Sequence, residues 1–179
     1  MQLVKASRDA LLKPLQVVSG IVERRQTLPI LANILVRKDG ERVSFTATDL
    51  EIQIQTSADI GAGKDAAATT VAARKLVDIL RALPEADVAL SLSNRKLAIA
   101  SGKSRFNLQT LPAEEYPTVA QAEFTADFTL PASTFKYLLS MVHFAMAQQD
   151  IRYYLNGMLL VVEGTTVRAV ATDGHRLAL

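Results

Sequence analysis

The sequence predicts an α+β fold built by repeating one unit: a strand, a helix, then three antiparallel strands. Apolar residues at helical spacing occur three times along the chain, and each time short runs of period-two alternation follow. Matching turn signals recur between those runs, with Thr48-Asp49, Ser101-Gly102 and Thr172-Asp173-Gly174 in equivalent places. Asn33 and Asn156 also occupy matching positions ahead of their hairpins.

The first copy opens with a short strand near Leu3. Ser7 then caps a helix that carries Leu11, Leu12, Leu15 and Val18 on one face. Pro14 removes a backbone hydrogen bond to Ala10 and predicts a kink. Strands follow from Ala32 to Arg37 and from Val43 to Ala47 around a turn at Asp39-Gly40, and a third has Ile52 and Ile54 alternating with Gln53 and Gln55.

The second copy starts at Thr70-Val71. Its helix presents Leu76, Ile79, Leu80 and Leu83 and is stopped by Pro84. Its strands carry Val88, Leu90 and Leu92, then Leu97 and Ile99, then Phe106 and Leu108. The third copy opens with a strand at Phe128-Thr129-Leu130, with Pro131 at the first helical position. Phe135, Leu138, Leu139 and Val142 form its predicted buried face, and strands run from Met158 to Val162 and from Thr166 to Ala171.

One such unit has an apolar helix face and an apolar sheet face, so two of them can close on a shared core. The predicted domains are therefore 1–122, made of half-units at about 1–60 and 68–122, and 123–179, the first half of a second domain. The small, flexible stretch Asp59 to Asp65 separates the halves, and the polar stretch Pro112 to Glu123 separates the domains.

Composition narrows the function. Among 179 residues 49% are hydrophobic and 21% charged, which reads as a globular, soluble chain. No apolar run approaches the roughly 18–20 residues that cross a bilayer, and the start has no signal-peptide pattern. Zero cysteines exclude disulfides and thiolate metal sites and suit a reducing cytoplasm. A net charge of +2 is too small to announce a nucleic-acid binder, so any phosphate affinity depends on where the charges sit.

The polar-aromatic run Gln149-Asp150-Ile151-Arg152-Tyr153-Tyr154-Leu155-Asn156-Gly157 and the turn Thr172-Asp173-Gly174-His175-Arg176-Leu177 are the most distinctive segments. Read plainly, Arg24-Arg25 is a solvated loop pair, and Tyr153-Tyr154 is a strand entry with one ring buried. Asp173 with His175 invites a hydrolase reading. No nucleophile, metal trio or glycine-rich phosphate loop accompanies them, however, and His143 lies in a different element.

These two segments, together with Leu11-Leu12-Lys13-Pro14-Leu15-Gln16, Thr27-Leu28-Pro29-Ile30-Leu31 and Ser104-Arg105-Phe106, carry a resemblance along the whole chain. It resembles the bacterial beta sliding clamp family (DNA polymerase III beta subunit), over the N-terminal domain and the first half of the central domain. The resemblance implies a DNA-clamp fold with antiparallel sheets outside and helices on the bore face. It implies a cytoplasmic, non-catalytic processivity factor without cofactor or metal, whose full-length form is a head-to-tail homodimer ring around duplex DNA. The implied partners are DNA polymerase III subunits, the clamp loader and other clamp-binding peptides.

Candidate bore-facing residues are then Arg25, Arg74, Arg81, Lys136 and Gln149. Arg25, Gln149, Tyr153 and Tyr154 match positions that touch DNA in the family, and the tyrosines suit stacking on exposed bases. Leu155, Thr172, Gly174, His175, Arg176 and Leu177 match one wall of its peptide-docking pocket. Lys103, Arg105, Phe106 and Leu108 match an edge strand at its dimer interface; the plain reading is a basic edge that resists unwanted pairing.

The missing second half of the central domain and the missing third domain imply a fragment that does not close a ring by itself. Its third copy should leave apolar surface uncovered, which predicts self-association through 126–179 or disorder there. Two other functions compete: a stand-alone peptide-binding module, and the hydrolase built on Asp173 and His175.

Overall fold

The computed structural model describes residues 1–22, 28–84, 86–119 and 127–179. Two compact units emerge, Met1–Gln121 and Ala122–Leu179.

In the first unit, β1 (Gln2–Ser7) leads into α1 (Arg8–Ser19), with the Ser7 hydroxyl accepting the Ala10 N–H at 3.4 Å as its cap. α1 runs through Pro14, and the Pro14 carbonyl accepts a hydrogen bond from the Thr56 hydroxyl. There follow β2 (Asn33–Asp39), β3 (Arg42–Thr48) and β4 (Gln53–Asp59). The second half repeats the order with β5 (Ala67–Ala72), α2 (Ala73–Ala82), β6 (Asp87–Ser93), β7 (Lys96–Ser101) and β8 (Ser104–Leu111).

The halves are joined by exchange. All eight strands form one antiparallel sheet in the order β1-β6-β7-β8-β5-β2-β3-β4. Each half therefore places its first strand in the sheet of the other: β1 pairs with β6 through Lys5↔Ala89, and β5 pairs with β2 through Val36↔Thr69. The far edge of β5 meets the end of β8 at Thr70↔Leu111, and the far edge of β1 meets Val4↔Gly61 just past β4. Gly61 is needed there because a Cβ would collide with the carbonyl oxygens of Gly40 and Glu41.

Period-two alternation sends Ile34 and Val36 to the helix side of the sheet, with Val43, Phe45, Leu97 and Ile99 in the same cluster. Leu11, Leu15 and Val18 of α1 and Leu76, Val77 and Leu80 of α2 complete that single core. Leu35 points the other way and is covered by Ala113 and Tyr116. The Tyr116 hydroxyl accepts the Thr48 N–H at 3.3 Å and donates to the Asn33 carbonyl at 3.2 Å, tying 113–116 to the sheet.

The second unit has α3 (Ala132–Val142), β9 (Leu159–Glu163), β10 (Thr166–Thr172) and the two-residue β11 (Leu177–Ala178). Two expectations need correction. Phe128-Thr129-Leu130 forms no strand, since the first strands of the other copies pair with a companion half-unit and none is packed here among the described residues. For the same reason the α3 face is not buried as a whole. Val142 is buried, Leu138 and Leu139 are half-buried, and Phe135 is 38% exposed.

Tyr116→Phe tests the tie across the first unit. It strands a buried N–H and carbonyl, so denaturant unfolding should show a loss of about 1–3 kcal/mol, and no loss would mean that those groups find other partners.

Candidate functional site

In the second unit, a loop and a turn meet beside β10. The loop is closed by two reciprocal bonds: the Asp150 N–H donates to Asn156 Oδ1 and Asn156 Nδ2 donates to the Asp150 carbonyl, both at 2.9 Å. Within it, the Asp150 carboxylate accepts Arg152 Nε at 3.0 Å, Arg152 Nη2 at 2.9 Å and the Arg152 backbone N–H at 2.8 Å. A fork of this kind is charge-assisted and directional. Tyr153 and Tyr154 project beyond it, 83% and 68% exposed, with edge-to-face rings 6.0 Å apart. The expectation of one buried ring does not hold, because the short 3-10 turn Tyr153–Asn156 turns both outward rather than entering a strand.

The turn repeats a local motif. Thr172 Oγ1 accepts the Gly174 N–H at 3.1 Å and donates to the Arg176 carbonyl at 2.7 Å, while Asp173 Oδ1 accepts the His175 and Arg176 N–H groups at 2.9 Å. In the first copy Thr48 and Asp49 make the same four bonds around Leu50, Glu51 and Ile52. Both motifs place a positive φ at the third position, +84° at Leu50 and +89° at Gly174.

The electrostatics follow from these bonds. Arg152, through its guanidinium and then its backbone N–H, holds the Asp150 carboxyl at about 2. The N–H groups of Arg176 and His175 hold Asp173 below the ordinary carboxylate range. Asp173 Oδ2 also accepts Arg176 Nε at 3.0 Å, and the Arg176 guanidinium lies 5.8 Å from the Phe144 ring centre. A carboxylate so engaged is a poor general base, which counts against a hydrolase centred on Asp173 and His175. Among the described residues no three His, Cys, Asp or Glu side chains gather as a metal site.

Gln149, His175 and Arg176 line one cleft of about 680 Å³, with His143, Phe144 and Arg152. Candidates expected to touch DNA and to dock peptides thus share a wall. Leu155, Thr172, Gly174 and Leu177 do not line that cleft. Leu155 is half-buried and its carbonyl accepts the Ala147 N–H, Thr172 and Gly174 build the turn, and Leu177 is exposed in β11.

In the first unit, Arg74 and Arg81 line a cleft of about 340 Å³ between α2 and the end of α1. Arg74 Nη2 donates to the Val22 carbonyl at 3.0 Å, so this residue also braces the chain beyond α1. Arg25 lies outside the described residues. Lys136 is exposed on α3.

β8 is not the outermost strand of its sheet. It pairs with β7 from Ser104 to Gln109, and with β5 only at Thr110 and Leu111, which leaves one side of 104–109 open. Lys103 belongs to the turn before it, Arg105 bends back onto the Gly102 and Ser104 carbonyls, Phe106 is 38% exposed and Leu108 packs on the core.

Sequence reading named the two segments but missed the parts played by Asp150, Arg152, Asn156 and Asp173. The available signal was an aspartate followed two or three residues later by arginine, the pattern of a carboxylate capping its own turn.

Paired half-units that exchange their first strands, followed by a further copy of the same helix-on-sheet unit, define a class of repeat-built proteins. A family profile described as the DNA polymerase III beta subunit, N-terminal domain, matches residues 1–120, and the central domain of the same subunit matches 129–179. The chain belongs to this family. It is 49% identical over 174 residues to the beta sliding clamp of Pseudomonas aeruginosa and 48% identical over 173 residues to that of Escherichia coli K12, in each case across 96% of this chain and 47% of the relative.

Among solved structures, it is similar to the DNA polymerase III subunit beta from Pseudomonas aeruginosa, with a TM-score of 0.94 and 46% identity over 100% of this chain and 50% of that one. It is also similar to the Caulobacter crescentus pol III beta, with a TM-score of 0.88 and 41% identity over 99% of this chain and 49% of that one. The chain spans about half the length of these relatives. No described helix is long and apolar enough to cross a membrane.

The Asp150–Arg152 fork has a titratable consequence. A carboxyl with a folded pKa near 2 against an ordinary 3.8 stabilises the fold fully above the ordinary value, and that contribution is lost as pH falls through about 2. Arg152→Ala removes the largest cause, so the Asp150 carboxyl carbon should titrate by NMR with a midpoint raised toward 3.8. An unmoved midpoint would assign the depression to other contacts.

Proposed function

We propose that this chain is the first half of a replicative sliding clamp subunit, non-catalytic in the full-length protein. Two such subunits join head to tail in a ring around duplex DNA. The observation that carries this reading is the consecutive match to the N-terminal and central domains of one subunit, on a body made of the duplicated half-units such a ring requires. Helices α1, α2 and α3 would line the bore, with the sheets forming the outer wall. Processivity then comes from topology, and weak contacts suffice: each neutralised phosphate adds salt-sensitive affinity, and strong ones would arrest sliding.

In this reading Arg25, Arg74, Gln149, Tyr153 and Tyr154 contact DNA, with Arg81 and Lys136 near it. Leu155, Thr172, Gly174, His175, Arg176 and Leu177 supply one wall of a docking pocket for peptides of DNA polymerase III subunits, the clamp loader and other factors. The open side of β8, with Lys103, Arg105, Phe106 and Leu108, pairs with the partner subunit. The setting is the bacterial cytoplasm.

The test uses the full-length protein loaded onto nicked circular DNA. It should stay bound to circles and be released when they are cut; equal retention on both forms would overturn encirclement and favour a simple binding module. Arg74→Ala should flatten the dependence of log K on log salt by about 0.9, the share of one phosphate, whereas Gln149→Ala should weaken binding without changing that slope. An unchanged slope for Arg74→Ala would leave that residue with its brace to Val22 alone.

A further inference from the structure

The turns at Thr48–Ile52 and Thr172–Arg176 share four hydrogen bonds and nearly the same positive φ, yet one has leucine where the other has glycine. Leu50 shows that this backbone can carry a side chain, at the strain of a positive φ. At position 174 the positive φ already favours glycine, and a neighbour outside the turn adds a second constraint. A Cβ built there would lie 3.3 Å from Arg152 Nη2 and 3.4 Å from Nη1, tighter than ordinary packing, and no other group approaches it as closely.

The guanidinium is held on that spot from both sides. Asp150 grips its Nε and Nη2, and Nη2 also reaches the Asp173 carbonyl at 3.4 Å. The Asn156 amide fixes the Asp150 backbone in turn, so the position of Arg152 is set by the whole 150–156 loop.

We infer that Gly174 is a seat for the Arg152 guanidinium, and that the Asp150–Arg152 fork resting on it is a latch coupling the 149–157 loop to the 172–176 turn. Asp150, Arg152 and Gly174 are positioning residues. They set where Gln149, Tyr153 and Tyr154 stand relative to His175 and Arg176. This deepens the reading above, in which the first group meets DNA and the second meets docking peptides: a ligand that lifts Arg152 from its seat loosens the loop that carries the tyrosines. By linkage, an occupant of the loop changes affinity at the turn by the same factor. The latch itself is measurable with neither ligand present, so its failure and the failure of the clamp reading are distinct results.

The experiment is hydrogen exchange, read by NMR, on the whole 179-residue chain. Gly174→Leu copies the residue that the first copy already carries. It should speed exchange of the Asp150 and Leu155 amides on the order of tenfold, the scale of one lost charge-assisted bond. The same substitution made in an Arg152→Ala background should add nothing further at those amides. Gly174→Ala, a smaller intrusion, should give the same pattern with smaller amplitude if the leucine variant does not fold. Asp150→Asn should disturb the amides of His175 and Arg176 from the other side. The proposal is overturned if Gly174→Leu and Gly174→Ala leave the loop amides unchanged. It is equally overturned if their effect persists without Arg152, because the disturbance would then be backbone strain within the turn.

Discussion

The first unit depends on one constraint: a strand–helix–three-strand element cannot satisfy its own edges or cover its own helix. β1 leaves its own half and hydrogen-bonds to β6, and β5 does the same toward β2. That exchange brings α1 against α2 and turns two apolar faces into one interior, where Leu11, Leu15, Leu76 and Leu80 are fully buried. Separate hairpins would leave open edges and half-covered cores, both unstable in water. Closure is completed by the Val4↔Gly61 bridge, at a glycine that the Gly40 and Glu41 carbonyls of the β2–β3 turn approach too closely for any side chain.

The second unit shows the same element without that exchange. α3 carries the helical pattern of α1 and α2, but Phe135, Tyr137 and Met141 are 38%, 62% and 52% exposed, because no companion half-unit lies on them among the described residues. Order here rests more on polar bonds. The reciprocal Asp150–Asn156 pair and the Thr172–Asp173 turn fix short stretches locally, through side chains that cap their own backbone. Such bonds position exposed residues within a narrow range without a deep core beneath them, which suits a surface that meets other molecules.

Charge is managed in the same local way. Asp150 is neutralised by Arg152 and Asp173 by Arg176, so the loop and turn carry fixed ion pairs and little free charge. Exposed pairs contribute modestly to stability; their geometric role is larger, since a forked guanidinium has one preferred plane. Of the cations named for DNA contact, Arg74 and Arg81 share one cleft of the first unit and Lys136 is exposed on α3.

Much of the fold was legible because it is written in periodicities. The helix faces of α1 and α2, the hairpin at Asp39-Gly40, and the repeat itself follow from spacing and turn chemistry, which are properties of neighbouring residues. The partnering of β1 with β6 was not legible, since a strand's pattern states which face is apolar and not which edge it will join. Phe128-Thr129-Leu130 has a strand's composition and forms none, and Phe135 has a core residue's spacing and is exposed, because both depend on a neighbouring half-unit. The site divides in the same way. Sequence alone singled out the Gln149–Gly157 and Thr172–Leu177 segments. Only tertiary structure placed Arg152 against Gly174, because that contact joins residues twenty-one and more positions apart through a side chain whose path the loop decides.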